Sequence, residues 1–154
     1  MKTLAEWVGV VAIAHLFLSM PARADAPAGR YTYIAASVTV YDTKTKLTWQ
    51  RSVAPGLYSW SAAKTYCAGV GATLGGTGWR LPTIKELPTL VDFALTTGAR
   101  IDPNAFPSTP AAGFWSSSLL ASSSASAWFV DFGGGSTPYG FGINGNANVR
   151  CVRQ

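Results

Sequence analysis

Histidine is almost missing from this 154-residue chain; the single one is His15. Cysteine is scarce too, with only Cys67 and Cys151, and charged residues make up 12% of the whole. Each shortage excludes some chemistry. His15 sits in an N-terminal apolar run, so the rest of the chain has no base for Ser-His or Cys-His nucleophilic machinery. Zinc sites built on His or Cys lack their ligands. No cluster of Lys and Arg occurs of the kind that tracks a phosphate backbone, so nucleic acid is not an expected partner. The apolar run itself, Trp7 to Leu18, falls short of the roughly 20 residues needed to span a bilayer.

Lys2, that apolar run and Ala22-Arg23-Ala24 together have the layout of a secretory signal peptide over residues 1–24. With no cysteine near the cleavage site, lipid anchoring is not expected, nor is stable membrane insertion after cleavage. The mature chain then begins at Asp25. Its roughly 130 residues suffice for one domain with a core, and an aromatic content of 12% argues against disorder. Ten basic and six acidic side chains remain, a net of +4, which favours anionic partners weakly. Two cysteines in an exported chain are most simply one disulfide, Cys67–Cys151, with two free thiols as the alternative. The expected compartment is the periplasm or the outside of the cell.

Pattern along the chain predicts an α+β domain. Tyr31–Ile34, Val38–Tyr41 and Leu47–Gln50 are β-branched and aromatic, hence strands, with a polar turn over Asp42–Lys46. Ser59 reads as an N-cap, and Trp60, Ala63, Cys67 and Val70 form one buried helical stripe. Glycines from Gly69 to Gly78 then interrupt regular structure. Thr83 and Glu86 have capping-box spacing. A second helix is expected from Ile84 towards Phe93, with Ile84, Leu87 and Val91 inward and a kink or short first turn at Pro88. Beyond Gly98 come strands at Phe114–Ser118, Ala127–Phe132, Tyr139–Ile143 and Asn148–Val152. Leu119–Ala127 reads as a low-complexity Ser/Ala connection and Gly133–Pro138 as a turn. This amounts to two helices on a small, mostly antiparallel sheet, with a long Gly/Ser/Pro-rich loop region.

Carboxylates are the remaining catalytic candidates. Glu86 and Asp42 already have capping and turn roles; Asp92 and Asp102 could meet as the facing pair a glycosidase needs, but ordinary capping and turn roles are the favoured reading. No enzyme is expected, and neither a cofactor nor a metal. Lys44 and Lys46 at the turn tip, with Arg100, are candidate contacts for a polyanion. Tyr139 and Phe141, in a glycine-rich hairpin, are the best candidates for exposed aromatic rings. Asn144 and Asn146 would present amides that suit hydroxyl-rich ligands.

Five stretches then stand out in order. They are Leu47-Thr48-Trp49-Gln50, Ser59-Trp60 through Cys67, Gly78-Trp79-Arg80-Leu81-Pro82-Thr83-Ile84-Lys85-Glu86-Leu87, Phe114-Trp115-Ser116-Ser117, and Val149-Arg150-Cys151-Val152-Arg153. Together they resemble the collagen-like-adhesin (Lcl) C-terminal domain family, a branch of the C-type-lectin-like fold. The match spans Val38 to Arg153 and sets a lead-in of residues 25–37 before a domain of 38–154. The resemblance implies a disulfide tying a helix to the final strand, and structural roles for Trp79, Arg80, Thr83, Glu86 and Trp115. Arg80 would pair with a carboxylate such as Asp92. It also implies adhesion-type binding of sulfated glycans, although no collagen-like stalk occurs in this sequence. Lys46 stands where the family usually has a glycine. Asp102-Pro103-Asn104 looks like a sugar-and-calcium triplet of C-type lectins but precedes the Trp115 strand instead of following it, so it reads as a turn. A glycan or polyanion is the leading partner, a protein the alternative, and a carboxylate hydrolase the last.

Overall fold

A computed structural model describes residues 28–154, and for residues 136–139 the backbone alone. The expected signal peptide lies outside the described residues. Short strands near the start, β1 (Tyr31–Thr32), β2 (Thr39–Asp42) and β3 (Leu47–Gln50), pair antiparallel, and β7 (Val152–Arg153) completes a sheet of order β1-β2-β3-β7. A second antiparallel sheet follows the chain as β4 (Gly113–Leu120), β5 (Ser123–Asp131) and β6 (Ser136–Gly142). Two helices, α1 (Trp60–Gly69) and α2 (Gly71–Leu74), make this an α+β domain with two antiparallel sheets.

The β2–β3 hairpin shows how the local chemistry sets direction. Strand alternation buries Val40 and Asp42 and exposes Tyr41. The Asp42 carboxylate accepts the Lys44 N–H at 2.9 Å, and its carbonyl accepts the Lys46 N–H at 2.8 Å. This Asx-type turn closes with Lys46 at φ +62°, a left-handed conformation that glycine adopts without steric cost.

Helix α1 forms where expected, with Ala63, Cys67 and the C-capping Val70 buried, but Trp60, expected in the same buried stripe, is only partly buried. Ser59 occupies the N-cap position through its carbonyl, which accepts the Ala63 N–H at 2.9 Å, while its side chain makes no capping bond. The glycine-rich stretch that read as turn contains α2. That turn folds back so tightly that a Cβ on Gly71 would lie 2.7 Å from the Gly76 carbonyl oxygen.

Several expectations need correction: the strands form two sheets and not one, the first strand stops at Thr32, and the turn expected over Gly133–Pro138 gives way to β6 at Ser136. The second helix predicted over 84–93 is a turn followed by one 3-10 turn, Leu87–Leu90. Pro88 has no N–H to give the Ile84 carbonyl, so the chain bonds at tighter spacing, Thr89 N–H to Glu86 and Val91 N–H to Pro88. Leu87 and Leu90 then take the buried positions, with Ile84 and Val91 only partly buried beside them. The Ser/Ala run is no linker. β4 continues to Leu120, turns over Ala121-Ser122, and returns as β5. Finally, the last strand is only Val152–Arg153; Ala147 and Asn148 make isolated bridges to Tyr58 and Phe114.

The buried side chains form two clusters. One joins Val40, Leu47 and Trp49 of the first sheet to Leu87, Leu90, Phe106, Phe114 and Phe132. The other joins Ala63 and Cys67 of α1 to Trp79, Leu81, Trp115, Phe129 and Val149.

Candidate functional site

The five sequence stretches meet in one hydrogen-bonded seam. Cys67 and Cys151 form the disulfide, with Cα atoms 5.3 Å apart across 84 residues of sequence. The Gln50 N–H donates to the Cys151 carbonyl at 2.9 Å, and the Cys151 N–H to the Gln50 side-chain oxygen at 3.2 Å. Arg80 and Val152 exchange both backbone bonds at 2.9 Å. The Ser117 N–H reaches the Pro82 carbonyl at 2.7 Å, and the Ile84 N–H reaches the Ser118 hydroxyl at 3.1 Å. Trp115 and Trp79 are buried, their indole N–H groups donating to the carbonyls of Tyr58 and Gly75. The motif residues are therefore accounted for as framework.

Arg80 pairs with Glu86, not Asp92. The guanidinium makes two bonds to the carboxylate, at 2.7 and 2.6 Å. Half of the expected capping box is present: the Thr83 N–H donates to Glu86 Oε2 at 2.8 Å. The other half is replaced, because the Thr83 hydroxyl lies 3.0 Å from the same oxygen, and the Glu86 N–H goes to the Thr83 carbonyl. The Arg80 bond, helped by the Thr83 donors and opposed by burial, holds the Glu86 carboxyl down at about 2.

The most unusual group is Arg150, which is wholly buried. It donates to the carbonyls of Gln50 at 2.8 Å and Arg51 at 2.5 Å, and to the Thr109 hydroxyl at 2.7 Å. Its Nε has no partner among the described residues. Burial brings the guanidinium down to about 9, which still leaves it charged at neutral pH. Nothing in the sequence pattern marked it beyond its place in a motif.

Every described carboxylate is engaged. Asp42 bonds Arg30 at 2.9 Å besides its turn; burial would raise its pKa, but Arg30 and the Lys44 and Thr45 N–H groups outweigh that and lower it. Asp92, Asp102 and Asp131 each accept backbone N–H groups two or three residues on. Asp102-Pro103-Asn104 is thus a turn, as its position implied. No group of three His, Cys, Asp or Glu side chains that could hold a metal occurs among the described residues. Cations are in the opposite state. Of the ten described Lys and Arg side chains, only Arg30 and Arg80 are paired with a carboxylate.

The candidate ligand contacts are not brought together. Lys44 and Lys46 are exposed on the β2–β3 turn. Arg100 is half-buried against Gly135 in the β5–β6 turn. Asn144 and Asn146 are exposed just past the other end of β6, a seven-residue strand that spans roughly 20 Å at the usual rise. Phe141 is not a free ring: it packs 5.3 Å from both Trp115 and Phe129. Tyr139 pairs with Phe129 in register, but its side chain lies outside the described residues. A groove of about 390 Å³ that sequence reasoning did not find lies between α1, α2 and the segment after β3, lined by Val38, Val53, Pro55, Val70 and Leu74 beside Gln50 and Tyr66.

A comparison with curated proteins finds no match. The family model of the Lcl C-terminal domain matches residues 38–153, well over half of the chain and the same span the five motif stretches mark out. The chain belongs to the Lcl C-terminal domain family.

Proposed function

We propose that this protein is an exported, non-catalytic binding domain of C-type-lectin-like architecture that recognises a glycan or another surface polyanion. The observation that carries the reading is the charge accounting. All five described Asp and Glu side chains are used in turns or ion pairs, while among the described residues Lys44, Lys46, Lys64, Lys85, Arg100 and Arg153 pair with no Asp or Glu. Such a surface attracts anions with little internal competition. The same accounting leaves no free carboxylate pair for hydrolysis. A disulfide fits an oxidising compartment, and a cross-link from α1 to the segment entering β7 fits the C-type-lectin-like reading.

A glycan array of the purified, oxidised protein tests this at low and physiological salt, with and without calcium. Calcium-independent binding to sulfated or uronic-acid glycans that weakens steeply with salt is the expected result. Binding to neutral glycans alone, or salt-insensitive binding, would overturn it. A second reading, a protein-interaction module, is favoured by the apolar groove and by Val38 and Leu57, which are 49% and 61% exposed. That interface would depend far less on salt.

A further inference from the structure

Resting on the polyanion reading, we infer that the working surface is the outer face of the first sheet, where Tyr41, Thr48 and Arg153 form a receptor for an acidic saccharide. Register places the three in one cross-strand row, Tyr41 opposite Thr48 and Thr48 opposite Arg153. Directly opposed residues share a face, and the alternate row Val40, Trp49 and Val152 is wholly buried, so this row points outward. Neighbouring strands lie about 4.8 Å apart, which sets the backbones of Tyr41 and Arg153 about 10 Å from each other; the Arg153 guanidinium reaches further, over Trp79, so an oligosaccharide rather than a single sugar spans the row.

Each member has a distinct capability. Tyr41 is 40% exposed and offers a ring face to a sugar. Thr48 between them carries a hydroxyl that can donate or accept. Arg153 supplies the charge and is held in advance: its guanidinium lies 5.5 Å from the Trp79 ring and packs beside Gly76. Among the described residues its Nε is out of solvent with no partner, and Nη1 donates to a main-chain oxygen of the neighbouring Gln154 at 3.1 Å. No described Asp or Glu side chain lies at ion-pair distance from it. At the far end of this face helix α1 packs, the Gln50 amide donating to the Tyr66 hydroxyl at 3.0 Å. The turn bearing exposed Lys44 and Lys46 joins the same two strands, adding positive charge beside the row. A carboxylate or sulfate on Arg153 with a pyranose ring over Tyr41 is the arrangement that uses all of these groups.

Titration of the oxidised protein with a heparin tetrasaccharide, followed by amide chemical shifts and calorimetry, tests the assignment. Shifts are expected to centre on Tyr41, Thr48 and Arg153. Arg153→Gln and Tyr41→Ala each weaken binding about tenfold, as loss of a charged hydrogen bond or a ring contact implies. Tyr41→Phe stays within about twofold, because the ring face is kept, and Ser61→Ala on the exposed side of α1 changes binding little. Should Arg153→Gln fail to fold, the two Tyr41 variants decide the matter. Full affinity in Tyr41→Ala, or shifts centred on Asn144 and Asn146, would overturn this face while leaving the polyanion reading standing. Absence of tetrasaccharide binding in the unaltered protein would remove both.

Discussion

The guanidinium carbon of Arg150 lies 4.6 Å from the centre of the Phe106 ring, in full burial. Among the described residues no carboxylate comes within ion-pair distance of it. Its compensation is two carbonyls, one hydroxyl and the faces of Phe106 and Phe114. Planarity matters here, because a fork can bond two carbonyls while stacking on a ring and an ammonium cannot. Arg150→Lys is therefore expected to cost about 2–4 kcal/mol, read as a shift in urea midpoint. A loss under about 0.5 kcal/mol would show that the stacked fork contributes little.

The Cys67–Cys151 bridge closes 84 residues of sequence, for which chain entropy gives about 4–5 kcal/mol. The double variant Cys67→Ala/Cys151→Ala should melt at markedly lower temperature. An unchanged melting temperature would mean the two ends hold together without it.

Acid should weaken the fold through Glu86. Its carboxyl sits at about 2 in the folded protein against 4.5 when unperturbed. A depressed carboxylate stabilises above its unfolded value, and that stabilisation is lost as pH falls through the folded one. Because Arg80 is 40% exposed, solvent screening trims the effect to about 1–2 kcal/mol between pH 5 and 2. Glu86→Gln should lower stability at pH 7 and flatten this part of the acid response. Equal acid sensitivity in the variant would assign the loss elsewhere, Asp42 first.

Lys46 separates stability from binding. Its φ of +62° strains any side chain, so Lys46→Gly is expected to raise stability by about 0.5–1 kcal/mol. The same change removes a cation and should lower affinity for a sulfated glycan. A variant that is both less stable and equally adhesive would contradict both statements.

Legibility in the sequence followed the strength of local signals. The strand Leu47–Gln50 and helix α1 were readable because period and propensity agree there. The Glu86 cap was half readable, since spacing showed the carboxylate reaching Thr83 but not the bidentate hold of Arg80. The helix over 84–93 failed at Pro88, where one missing N–H outweighs five favourable residues. The Ser/Ala run was misleading for a different reason: its small side chains give no period, yet pairing Leu119 with Ala127 makes it a strand. Phe141 looked exposed because glycines surround it, but Gly145 leaves room for its ring to reach Trp115 and Phe129. The row of Tyr41, Thr48 and Arg153 could not be seen, because cross-strand register over a hundred residues is not written in local pattern.

Pairing β3 with β7 also has a consequence for biogenesis. Residues 149–153 supply the partner of β3, one half of the disulfide and the buried Arg150. A growing chain that stops short of them has a sheet missing one edge and carbonyls of Gln50 and Arg51 without donors. Folding is therefore expected to complete only once residues 149–153 are available, since their contacts join distant segments. A chain held open in this way suits the export proposed above, because passage across a membrane in extended form requires a chain that has not yet closed.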